Sequence, residues 1–113
     1  MITKIHLFNE FAIKERVYFL LLQNLKNEYL FHCECRKLSP KTIKNYEMLL
    51  RLFFNYLERE QGIVALEDLC PIHIKQFINY NIQREHKPAY INDLLKVCKC
   101  FFKYLHEEVV NPQ

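Results

Sequence analysis

Glycine is almost missing from this sequence: Gly62 is the only one in 113 residues. A glycine-rich phosphate loop is therefore excluded, because such loops need several residues without Cβ for the backbone to approach phosphate. Long apolar runs are missing too. The longest is "VYFLLL", residues 17–22, far short of the about 20 residues a membrane-spanning helix requires. Met1 is not followed by a cationic stretch and a cleavable apolar segment, so no secretory signal is read. No H-E-x-x-H motif occurs, and the histidines at 6, 32, 73, 86 and 106 stand in no ligand spacing with one another. Alternating strand patterns are absent apart from "TKIHLF", residues 3–8, and there is no internal repeat or low-complexity tract. No catalytic constellation emerges, and the expected setting is cytoplasmic with no membrane contact.

What is present is a dense apolar chain. Apolar residues make up 50% and aromatics 14%, which excludes a disordered polymer and suits one domain with one core. The five cysteines are Cys33, Cys35, Cys70, Cys98 and Cys100. In a cytoplasmic chain they are expected as reduced thiols. The two C-x-C pairs invite a zinc reading, yet on a helix of 3.6 residues per turn the thiols of C-x-C point about 200° apart. Packing as small apolar groups is the plainer role, and no metal or other cofactor is expected. Charge is uneven. Residues 1–35 hold four cations and four anions; residues 36–103 hold twelve and seven, an excess of 12 − 7 = 5; residues 104–113 hold two anions. A cationic middle permits nucleic-acid binding without requiring it.

Helical periodicity divides the chain into four amphipathic helices, so the expected fold is all-α, a small bundle in which each helix buries one face on the others. The first spans about Lys14 to Arg36, with Phe19, Leu22, Leu25, Tyr29 and Cys33 inward. The second spans Pro40 to about Glu60, with Ile43, Tyr46, Leu50, Phe53 and Leu57 inward. Ser39 is its expected N-cap, Pro40 its first residue and Gly62 its stop. "GIVALEDLC", residues 62–70, is a connector anchored by Leu66 and Leu69. The third helix runs from Pro71 to about Arg84, with Ile74, Phe77, Ile78 and Ile82 inward, and "REHKP" is a polar turn. The fourth runs from Pro88 to about Glu108 on Ile91, Leu95, Cys98, Phe102 and Leu105, broadened by Leu94 and Phe101.

The start of the second helix is odd. Helix N-termini favour acidic residues because the macrodipole places positive partial charge there. This one carries Ser39, Lys41, Thr42, Lys44 and Asn45 and no carboxylate, as if an anion arrived from outside. Lys41, Lys44 and Arg51 then fall at i, i+3 and i+10. On the fourth helix Asn92, Lys96, Lys99 and Lys103 fall at i, i+4, i+7 and i+11, one line about 100° from the apolar seam. Glu47 and Asp93 are read as lying off these lines, and Lys26 as an indifferent cation of the first helix. A single lysine stripe serves solubility; two stripes without interleaved acids point further. Tyr46, Tyr80 and Tyr104 fit packing. Tyr90, beside Lys87 in the first turn of the fourth helix, suits packing and ligand contact equally.

These segments resemble a known family. "LSPKTIKNYEMLLRLFFNYLE", "LEDLCPIHIKQFINYNI" and "YINDLLKVCKCFFKYLHEEVVNP" are similar to the N-terminal core-binding, or SAM-like, domain of tyrosine recombinases and phage-type integrases. Leu38, Ser39, Thr42 and Tyr46 match the Leu-Ser-x-x-Thr-x-x-x-Tyr that opens that family's second helix. Ile91, Asn92, Leu95, Phe101, Phe102, Tyr104, Leu105, Asn111 and Pro112 match its fourth helix and the Asn-Pro after it, without a gap. The departures are Tyr90 for threonine, Asp93 for a basic residue, Lys96 for serine, Lys99 for arginine, Cys98 for a core leucine, and Cys70 for the Ser/Thr cap before Pro71.

The resemblance covers about residues 16–112. It implies a four-helix orthogonal bundle over residues 16–110, with 1–15 as an arm or flexible extension and 111–113 opening an interdomain linker. It implies duplex DNA as partner, met by the second and fourth helices through Ser39, Lys41, Thr42, Lys44, Asn45, Arg51, Lys87, Tyr90, Asn92, Lys96, Lys99 and Lys103. A downstream catalytic domain, and other recombinase protomers, are further implied partners. The nucleophilic tyrosine belongs to that separate domain in the family, so a non-enzymatic, nucleoid-associated DNA-gripping domain is expected here. A helical protein-interaction module with "VYFLLL" as its docking face, and a metal site at Cys33, Cys35, Cys98 and Cys100, stand as alternatives.

Overall fold

The computed structural model describes residues 21–110. Four α-helices follow in order: α1 (Leu22–Cys35), α2 (Pro40–Tyr56), α3 (Ile72–Gln83) and α4 (Pro88–Tyr104). Among the described residues there is no strand beyond one isolated bridge, Leu21 to Ala65.

That bridge corrects the first element. Leu21 is extended, with ψ 132°, so no helix runs unbroken from Lys14 to Arg36. The first N–H groups of a helix have no partner within it. Here the Leu22 N–H finds one in the connector, donating to the Val64 carbonyl at 2.9 Å, and this holds the preceding residue out of helical geometry. Phe19 lies outside the described residues.

The helix ends follow backbone accounting. Past α1, Lys37 adopts φ 63°; its N–H donates to the Glu34 carbonyl at 2.9 Å and the Leu38 N–H to the Cys33 carbonyl at 3.1 Å. Past α3, Glu85 adopts φ 61° and, with His86, closes on Ile82 and Asn81 in the same pattern. Paired closures of this kind satisfy the orphan carbonyls, and glycine is their usual left-handed residue. A chain with one glycine uses lysine and glutamate instead. The glycine itself, Gly62 at φ 67°, stops α2 as its sequence position indicates. Before it, Leu57–Gln61 forms a wide π-type turn, and Leu105–Val110 forms another after α4.

α4 packs against α1, α2 and α3. Phe53 and Phe101 are fully buried at the centre, with Leu50, Leu57, Leu94, Val97, Cys33 and Cys98. Aromatic rings join the helices: Phe53 with Phe77 at 5.0 Å and Phe54 with Phe101 at 5.4 Å in tilted pairs, and Tyr29 with Phe101 at 5.5 Å edge to face. Tyr46, Tyr80 and Tyr104 pack half-buried against this core, and Leu66 and Leu69 anchor the connector as expected.

Two seams are rotated from their expected positions. On α3, Ile82 is 52% exposed while Asn81 is buried. The Asn81 amide enters the core because its Nδ2 donates to the Phe77 carbonyl at 2.8 Å, which removes the penalty for burying a polar group. On α4 the buried line is Leu94, Val97, Cys98, Phe101 and Leu105, whereas Ile91, Leu95 and Phe102 are only half-buried at its edge.

The thiols do not converge. Cys33 and Cys98 are buried, Cys35 and Cys70 are exposed, and Cys100 is intermediate. Burial pushes the Cys98 thiol up to about 12 and raises Cys33 as well, so both pack as neutral thiols. Among the described residues no group of three His, Cys, Asp or Glu side chains is arranged to hold a metal ion. None of the described helices is long and apolar enough to cross a membrane.

Candidate nucleic-acid interface

The cationic start of α2 is built from its cap outward. Ser39 is extended, with ψ 149°, and its Oγ accepts the Thr42 N–H at 3.1 Å. The Ser39 hydroxyl donates to Thr42 Oγ1 at 2.9 Å, so the Thr42 hydroxyl proton is left for an acceptor outside the turn. Pro40 has no N–H, and the Ile43 N–H donates to the Ser39 carbonyl at 3.0 Å. Of the first turn's backbone donors, the Lys41 N–H alone has no acceptor among the described residues. An anion at this helix end would thus meet one backbone donor, a hydroxyl and the flanking ammonium groups, a smaller version of a familiar helix-terminus site.

α2 and α4 pack together, and this unites the two stripes. An open groove of about 760 Å³ is lined by Lys41, Thr42, Lys44, Asn45 and Arg51 from α2 and by Lys96 from α4, over Tyr46, Glu47 and Met48. All four cations are exposed. Ser39 joins the group through Thr42. Asn92, Lys99 and Lys103 are also exposed, and their spacing extends the Lys96 line along α4 on either side of the groove. Lys87 and Tyr90 stand at the N-terminal end of that helix and do not line the groove. The half-buried Tyr90 ring packs on the core and lies 4.9 Å from the His86 ring.

Glu47 and Lys26 require correction. The α2 line is not free of acid: Glu47 Oε2 is 4.0 Å from Arg51 Nη1 across one helical turn, and Glu47 lines the groove itself. This pair is long and solvated, since the Arg51 side chain is 57% exposed, so it contributes about 0–1 kcal/mol. The other contact is different in kind. Lys26 Nζ donates to Glu47 Oε1 at 3.1 Å, and the lysine side chain is only 4% exposed. Lys26 is therefore no indifferent surface cation. The signal for this was in the spacing: Leu22, Lys26, Tyr29 and Cys33 fall at i, i+4, i+7 and i+11, which places Lys26 on the buried seam of α1.

The hydroxyl cap permits a separation of stability from binding. Ser39→Asp is expected to keep the cap and melt at or above the wild-type temperature, because a carboxylate suits the positive end of a helix. Affinity for duplex DNA should nevertheless fall about fivefold or more, since two like charges 4 Å apart repel by about 1 kcal/mol even at the dielectric of water. Thermal melts and binding isotherms on one preparation check this. Unchanged DNA affinity would remove phosphate from this helix end.

Comparison with known proteins adds one finding. Residues 27–109, well over half of the chain, match the family described as phage integrase, N-terminal SAM-like domain. No curated protein and no solved structure is significantly similar to the chain.

Proposed function

The chain belongs to the phage-integrase N-terminal SAM-like domain family of the tyrosine recombinases, and from that premise we propose that it grips duplex DNA for integration and recombination. The observation that carries this reading is the groove between α2 and α4, where Lys41, Lys44, Arg51 and Lys96 converge beside the hydroxyl-capped start of α2. Its donors are exposed and mostly free of acidic partners, so they suit a solvated polyanion better than a small apolar ligand. Phosphate contacts position a protein on the duplex, and the helix faces flanking the groove then meet base edges.

In this reading the chain performs no strand chemistry. The reaction requires a tyrosine nucleophile with cations gathered around the reacting phosphate. Tyr29 and Tyr104 are neutral: burial raises both, with Cys33 adding at Tyr29 and Glu28 at Tyr104. Tyr46 and Tyr80 pack on the core. A separate catalytic domain of the same recombinase, and sister protomers, are the proposed further partners, at the nucleoid.

The reading is tested by titrating duplex DNA across a salt series. Each phosphate contact contributes a slope of about −0.9 to the log–log plot. With Arg51 partly compensated by Glu47, about three to four contacts are expected, hence a slope of about −3 to −4. Absence of binding at low salt would remove this function and favour the protein-docking alternative, whose face "VYFLLL" lies mostly outside the described residues; among the described residues Phe31, Ile72 and Ile82 are exposed apolar side chains.

A further inference from the structure

A groove shaped only for phosphate has no use for a carboxylate, yet Glu47 stands among its cations. Its placement is controlled from behind. Lys26 reaches out of α1, almost wholly buried, and binds Oε1 at 3.1 Å. The Glu47 side chain remains 35% exposed, and Oε2 at 4.0 Å from Arg51 is beyond hydrogen-bonding distance. The pair is thus closed at its ammonium end and open at its carboxylate end. What faces the groove is an acceptor in a fixed position, with lone pairs to spare and no proton to donate.

We infer that Glu47 is a specificity-determining residue: held by Lys26, it reads an exocyclic amino group on a base edge. The inference rests on the DNA reading above and deepens it. Phosphate oxygens repel a carboxylate, and so do the O6 and N7 acceptors of guanine and the O4 of thymine. In the major groove the complementary groups are the amino groups of cytosine and adenine, and cytosine N4 is the usual partner of an acidic side chain. Arg51, one helical turn along, carries the complementary donor set for a guanine edge, so the two side chains together suit a short mixed readout. Lys26 serves as a positioning residue. It removes freedom from a long side chain and offsets the negative charge that would otherwise weaken every phosphate contact nearby.

The test is selection of bound sequences from a randomised duplex pool, using the full chain at low salt. Wild type is expected to favour cytosine at one position. Glu47→Gln should reduce that preference by about fivefold to tenfold, the lower part of the range for a good base contact, and should bind unrelated duplex more tightly. The double variant Lys26→Met with Glu47→Met replaces the buried pair by apolar groups of similar size, a change that generally leaves folding intact. It should lose the same preference, so the outcome stays readable even if Glu47→Gln alone were to unfold. Variants that retain the wild-type base profile would overturn the inference. Wild-type binding without base preference would also overturn it while leaving the DNA function standing, and wild type that binds no duplex would remove both.

Discussion

Lys26→Glu unfolds this domain, or leaves it too unstable to purify as a folded monomer. The substitution places a carboxylate where the 4% exposed Lys26 side chain now lies, facing Glu47 across a 3.1 Å contact. A charge left uncompensated in a buried site typically costs about 3–5 kcal/mol, and here that charge would be the new carboxylate at position 26, since Glu47 is part-exposed. Reversing the sign adds repulsion to that loss. A small domain has only about 5–15 kcal/mol in total. Lys26→Met should behave oppositely and lose far less. Its side chain matches the apolar stem of lysine, and Glu47, still 35% exposed, can turn to water. Urea denaturation followed by far-ultraviolet circular dichroism separates the two. A Lys26→Glu protein with a midpoint close to wild type would mean that Lys26 is not buried in solution.

The second large effect is on binding. Lys44→Glu combined with Lys96→Glu should reduce affinity for duplex DNA about a hundredfold and leave the melting temperature almost unchanged. Both side chains line the groove, one from α2 and one from α4, and both are exposed, so stability should move by no more than about 0.5 kcal/mol per site. Two charge-assisted contacts at about 1.5 kcal/mol each give about 3 kcal/mol, which is about two decades in affinity. The salt slope should also flatten by about two units, at about 0.9 per lost phosphate. Lys75→Glu is the control: Lys75 is an exposed lysine of α3 that does not line the groove. An equal loss from Lys75→Glu would show that net charge, rather than the groove, governs binding.

How far the sequence discloses this arrangement depends on which physical signal each residue carries. Ser39, Pro40 and Gly62 were readable because caps and stops follow local rules: a hydroxyl for an orphan N–H, a fixed φ at the first position, a left-handed residue at the end. Leu50, Phe53 and Leu57 were readable because their spacing has no other interpretation. Asn81 and Ile82 were not. They are neighbours, and periodicity prefers the isoleucine for the core, while the bond from Asn81 to the Phe77 carbonyl is invisible until the helix exists. Lys26 was misread for a related reason. Its charge suggested solvent, although its position was that of a core residue, and its partner lies 21 positions away on another helix. Leu21 lay in a run that looked helical, and only the connector's Val64 carbonyl determines where α1 starts. For the interface, the residues of each stripe were legible from spacing; that α2 and α4 bring Lys44 and Lys96 to one groove is a property of packing.

The wide turns at Leu57–Gln61 and Leu105–Val110 each accommodate one more residue per turn than an α-helix, since their hydrogen bonds close from i to i+5. Each is a store of spare length beginning at a fully or almost fully buried leucine, Leu57 or Leu105. Loss of one residue within such a turn would convert it to ordinary helix and leave the apolar lines of α2 and α4 undisturbed. After α4 the same holds: five residues of an i to i+5 turn and four of an α-helix both close about one turn, so Val110 would keep its azimuth relative to the Lys96 line. Leu105–Val110 therefore acts as a length buffer. A single-residue deletion there would shorten the groove-bearing helix without rotating its end and without changing a residue that lines the groove.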